Sequence, residues 1–100
     1  MRRGSTPTNT FSVNLDLRDA TVFVTYEQDD KIVVEKTGED LTITATAVSC
    51  TLTQEETLRF HAGRVNIQLR FVTALGAADA SNIIATTAER ILKDGVIEYV

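Results

Sequence analysis

Few residues of this chain are of types that do chemistry, and their spacing limits what they can do. His61 is the single histidine in 100 residues and Cys50 the single cysteine. A base or nucleophile works only with partners held within hydrogen-bond reach. His61 stands in a turn signal, His61-Ala62-Gly63, with Glu55 and Glu56 as acids close in sequence. That pattern reads as a surface turn, not a catalytic centre. Cys50 lies between Ser49 and Thr51 in an alternating run and reads as a small core residue. One thiol leaves no intramolecular disulfide. One thiol with one imidazole leaves no nitrogen- or sulfur-rich metal site. The pairs Asp29-Asp30, Glu39-Asp40 and Glu55-Glu56 offer oxygens to a hard cation, but none has the spacing of a calcium loop. They read as turn acids and, at Glu55-Glu56, as negative charge suited to the start of a helical turn. The five glycines form no phosphate cradle. No catalytic, metal or cofactor-binding residue is therefore expected, and no cofactor.

The elements that must position these residues are read from a period of two. Phe11, Val13, Leu15 and Leu17 alternate with polar neighbours, and so do Val65, Ile67, Leu69 and Phe71. Successive strand side chains point to opposite faces, so each run has one dry and one wet side. Dry sides must be stacked or closed on themselves. The first strand is expected at Thr10–Leu17, the next at Thr21–Glu27. Gln28-Asp29-Asp30 is the best hairpin turn, leading into Lys31–Lys36, and Thr37-Gly38-Glu39-Asp40 is a second turn. Leu41 and Ile43 alternate on odd numbers, whereas Val48, Cys50 and Leu52 alternate on even ones. A turn near Thr44–Ala47 absorbs the change, with a bulge as the second explanation. Thr53-Gln54-Glu55-Glu56 fits a capping box and one helical turn. The clearest strand is Arg64–Val72, and Leu75-Gly76-Ala77 forms the connection after it. Residues 77–92 fit a closing strand better than a helix, because Ser81-Asn82 and Thr86-Thr87 are poor helix material. Lys93-Asp94-Gly95 is a further turn, and Val96–Val100 is a short tail suited to add to a sheet edge.

The fold class that follows is all-β: an antiparallel β-sandwich, Ig-like or jelly-roll-like, of about seven to eight short strands with one helical turn near 54–58. The domain plan is an extended N-terminal arm over 1–9 and a single β-sandwich domain over 10–100. A content of 43% hydrophobic and 24% charged residues fits one soluble core. The net charge of -4 argues against broad, salt-driven nucleic-acid binding. No apolar run reaches the roughly 18 residues of a spanning helix. Arg2 and Arg3 precede no apolar stretch, so no secretory leader is expected and the cytoplasm of the producing cell is the simplest compartment. The threonines Thr42, Thr44, Thr46, Thr51 and Thr53 make a polar face, read as wet surface before subunit contact. Exposed aromatics at Phe23, Tyr26 and Tyr99 would be the platform of an alternative, carbohydrate- or ligand-binding module.

Several segments together point to a family. MRRGSTPTNTF, LTQEETLRFHAG, VNIQLRF, ASNII and RILKDGVI resemble a group of small proteins encoded by tailed bacteriophages and prophages of Gram-positive bacteria. That group is similar to the N-terminal domain of upper baseplate proteins, which attach receptor-binding proteins to the tail. The resemblance spans nearly the whole chain and carries over no functional residue. It implies a compact β-sandwich with a closing strand at Asn82–Arg90, serving without enzymatic activity in a virion or its assembly. It implies other virion proteins as partners, homo-oligomerisation, no nucleic acid and no membrane, and residence in the host cytoplasm and then the virion. Contacts are expected from the arm Met1–Asn9 and the tail Gly95–Val100, through Arg2, Arg3, Thr8 and Tyr99.

Overall fold

The computed structural model describes residues 1–99. Its strands are β1 (Thr8–Ser12), β2 (Thr21–Gln28), β3 (Lys31–Thr37), β4 (Leu41–Ile43), β5 (Ala47–Thr51), β6 (Gly63–Val72), β7 (Ala78–Ala80) and β8 (Ile84–Ala88). A 3-10 turn at Gly38–Asp40 and one short helix, α1 (Gln54–Thr57), join them. The strands pair antiparallel in two sheets. The smaller has the order β1-β5-β4. The larger runs β3-β2-β6, with β7 and β8 sharing the far side of β6.

The dry sides meet between the sheets. Val22, Val24 and Tyr26 of β2 face inward with Val65, Ile67 and Leu69 of β6. Phe11, Val48 and Cys50 close the core from the smaller sheet, and Leu17, Leu52 and Phe60 fill it from the connections. The rings of Tyr26 and Phe60 lie 6.2 Å apart at 58°, the tilted arrangement aromatic quadrupoles favour. The chain crosses between sheets from β1 to β2, from β3 to β4, and through α1 from β5 to β6. Of the two arrangements open to the sequence, this is the Ig-like sandwich.

Local chemistry explains the turns. Asp29 and Asp30 have φ of 53° and 63°, the left-handed geometry a two-residue hairpin demands. Asp is among the few side chains that tolerate it. The parity change between Ile43 and Val48 is a turn, closed by the Thr44 amide on the Ala47 carbonyl at 2.9 Å. The capping box is complete. The Glu56 amide donates to Thr53 Oγ1 at 3.1 Å, and the Thr53 amide donates to Glu56 Oε1 at 2.9 Å. Residues 84–88 form a strand against β6, as the poor helix material there requires.

Three expectations need correction. The first strand begins at Thr8 and ends at Ser12, not at Thr10 and Leu17. Only Val13 extends its pairing, and beyond it the Arg18 amide turns back onto Asp16 Oδ1, so Leu17 reaches the core from a loop. The stretch 1–9 is not an extended arm. The Glu89 amide donates to the Met1 carbonyl at 2.8 Å, and the Arg3 amide to the Glu89 carbonyl at 3.1 Å, in a parallel bridge just past β8. Backbone groups of the first residues find partners on their own sandwich, which holds them there. Residues 96–99 add to no sheet edge, and Val100 lies outside the described residues.

Candidate interaction surface

The four residues expected to make contacts are dispersed. Arg3 is committed within its own chain. Its Nε donates to the Phe60 carbonyl at 2.6 Å, its Nη2 to the Leu58 carbonyl at 3.0 Å, and its Nη1 to Asp94 at 3.3 Å. With its side chain only 18% exposed, it ties the first residues to the β6 approach and to the 93–95 turn. Arg2 stays mostly in solvent, near Glu89 at 3.3 Å and the Arg90 carbonyl at 3.1 Å. Thr8 lies on the outer side of the smaller sheet, its hydroxyl 2.7 Å from that of Thr51. Tyr99 stands 95% exposed beside Thr6 and the segment Thr51–Glu55.

The tail is anchored by one side chain. Gln54 Nε2 donates to the Ile97 carbonyl at 3.1 Å, and the Ile97 amide donates to Gln54 Oε1 at 2.9 Å. The amide of Gln54 thus imitates one residue of a neighbouring strand. Leu92, Val96, Ile97 and Tyr99 remain exposed around it.

The two outer faces of the sandwich differ in kind. On the smaller sheet, cross-strand hydroxyls pair: Thr8 with Thr51, and Thr10 with Ser49 at 3.0 Å. On the larger sheet, the outward positions carry Phe23 and Ile32, with Ile83 at its margin. Thr25, Gln68, Glu35 and Arg70 lie among them and line shallow hollows over β3, β2 and β6. Thr25 Oγ1 donates to Glu35 at 3.1 Å, holding that carboxylate over the face. The sequence reading missed this surface. Its signals were Phe23, an aromatic on the wet side of β2, and the unbroken run Ile32-Val33-Val34. The run is explained by a bulge: Tyr26 pairs with Val34 and Glu27 with Ile32, so Val33 is the extra residue and packs toward the core.

The remaining titratable groups are explained by the fold. Burial pushes the Tyr26 phenol up, and its hydroxyl donates to Asn9 Oδ1 at 2.7 Å. Tyr26 is fully buried, which corrects its place in a ligand platform; Phe23 and Tyr99 lie on separate surfaces. Burial also pushes the Cys50 thiol up, keeping it neutral and unreactive. His61 does not meet Glu55 or Glu56; its Nε2 pairs with Asp29 on the β2–β3 turn. A hydrogen bond with the Ala62 carbonyl, and then the Asp29 carboxylate, raise its pKa. Gln28 locks the same two loops, giving Nε2 to the His61 carbonyl at 2.7 Å and taking the His61 amide at 3.0 Å. His61 therefore fastens a hairpin tip. Among the described residues no cluster of three or more metal-ligating side chains occurs, and no helix is long and apolar enough to cross a membrane.

No family model matches the chain, and no curated protein matches it. Among solved structures, the V domain of amphioxus IgVJ-C2 is similar, at 10% identity and a TM-score of 0.37, over 91% of this chain and 97% of that one. A likeness this faint carries no functional conclusion.

Proposed function

We propose that this chain is a non-enzymatic structural or assembly module of a tailed-phage or prophage particle, associated with tail or baseplate and acting by protein–protein contact. The phage setting rests on the segments that resemble the small phage proteins described above. The mode of action rests on one observation: large apolar side chains stand in water in groups, among them one on the outer face of the larger sheet, one along Leu92–Tyr99 and the pair Leu15 and Leu75. Grouped apolar surface of this sort is what a protein partner removes from water. Each such side chain contributes about 1.5–3 kcal/mol when fully buried. Its partners on this reading are other virion proteins and copies of itself.

Purified particles from the producing strain provide the test. Mass spectrometry should find the chain in them at fixed stoichiometry, and deleting its gene should arrest tail assembly. Particles that lack the protein and form normally after deletion overturn the reading.

A further inference from the structure

We infer that the outer face of the larger sheet is a self-complementary docking surface, occupied by a second copy of this chain in a two-fold, face-to-face pair. This deepens the contact-module reading and rests on it. The molecule is a slab with extents of 47 × 34 × 18 Å, so its broad sides are where most surface can be covered at once. Three strands of 7, 8 and 10 residues, with β7 and β8 sharing the fourth position, present roughly 500 Å² in flat projection at about 4.8 Å spacing. Side-chain relief brings that toward the ~800 Å² per partner of a stable complex.

The register makes the face complementary to itself. Glu35 and Gln68 stand level with Thr25, and Arg70 stands level with Phe23. Acid therefore lies on the β3 flank and base on the β6 flank. A two-fold axis running along β2 sends each flank over the other. Glu35 of one copy then meets Gln68 of the second, with Arg70 two residues along the same strand, about 7 Å away and within reach of its long side chain. Phe23, Thr25 and Glu27 each meet their own equivalent on the axis, the Glu27 carboxylate already taking the Asp30 amide at 3.2 Å.

Shape follows the same operation. Ile32 is level with Glu27 and Asn66, and it projects 65% exposed. The axis carries it over Asn66 of the second copy, into the hollow that Thr25, Gln68 and Ile83 line. Each copy contributes the knob and receives it, the isologous pattern of a closed pair.

Sedimentation over a range of concentrations, on the full chain, decides the matter. The unaltered protein should associate reversibly to two copies. Glu35→Arg and Arg70→Glu should each weaken that association at least tenfold, and the double variant should recover it. An equimolar mixture of the two single variants should recover association as mixed pairs, because in such a pair both cross-copy contacts again set a base against an acid. Ile32→Asp, at an exposed position, should weaken pairing while leaving the melting temperature within a few degrees. A protein that stays monomeric to millimolar concentration overturns the inference. So does a dimer indifferent to all of these substitutions, which places its interface elsewhere. Presence in particles together with a monomeric state refutes the pair alone. Pairing in solution with absence from particles refutes the phage role alone.

Discussion

At the scale of single residues, Glu56 carries more than its share. One carboxylate oxygen completes the cap of α1 on the Thr53 amide, and the other lies 2.7 Å from Lys36 Nζ of β3. The two side chains are only 14% and 13% exposed. Burial resists the charge, but the Lys36 bond and the Thr53 amide outweigh it and hold the Glu56 pKa below the usual carboxylate range. A lowered pKa favours the folded state above the unfolded value of about 4.3, and the gain fades as pH falls through the folded value. Glu56→Gln should therefore cost about 1–3 kcal/mol at pH 7 and progressively less as pH falls below the unfolded value, read by urea unfolding across that range. The cap was legible in Thr53-Gln54-Glu55-Glu56 because capping is local. Lys36 was not, because nothing local announces a partner 20 positions away. The partners of Arg3 were hidden for the same reason. Its charge looked available, yet the carbonyls of Leu58 and Phe60 that claim it belong to a distant loop.

Elements show what alternation can and cannot tell. The β2–β3 hairpin, the Thr44–Ala47 turn and the strand at residues 84–88 followed from turn chemistry and a period of two. The ends of β1 did not, because Val13, Leu15 and Leu17 keep alternating after the ladder has stopped. Only Val13 still bonds to β5's neighbour Thr46. The hairpin tip offers a direct test. Asp30 sits at φ 63° with its side chain exposed, where glycine carries no steric penalty. Asp30→Gly should stabilise by about 0.5–1 kcal/mol in thermal unfolding. Asp29→Gly should gain less, since it also deprives His61 of its carboxylate. The His61 titration followed by NMR should show a midpoint above 6.5 that falls in Asp29→Gly. Because that pKa is raised, whatever stability the pair lends is present in acid and lost as pH rises through the folded midpoint. The tail has its own test. Gln54→Ala removes both bonds to Ile97, so hydrogen exchange at the Ile97 amide should accelerate while the core amides keep their rates.

For the whole molecule, two layers were foreseeable because each run of Val, Ile, Leu and Phe demands a cover, and a sandwich is the cheapest way to provide it. Strand order was not, since period and spacing are silent about which strands neighbour one another. Nor was the contrast between the outer faces. It emerges only once Phe23 and Ile32 land in one sheet and the hydroxyls of Thr8, Thr10, Ser49 and Thr51 in the other. Two of the open borders are guarded: β3 has its bulge and the lysines Lys31 and Lys36, and β4 is three residues long. Core damage should be felt everywhere. Phe60→Ala, beneath the Tyr26 ring, should cost about 3–5 kcal/mol by chemical denaturation.

The hydroxyl rungs joining β1 to β5 give the slab a back as well as a front. Their hydrogen bonds are already spent on each other, so that side has little to gain from losing its water. On the pairing inferred above, a tile that docks by its front cannot be stacked into a pile by its back. Once two have met front to front, both remaining sides are wet, and growth by stacking has nowhere to go.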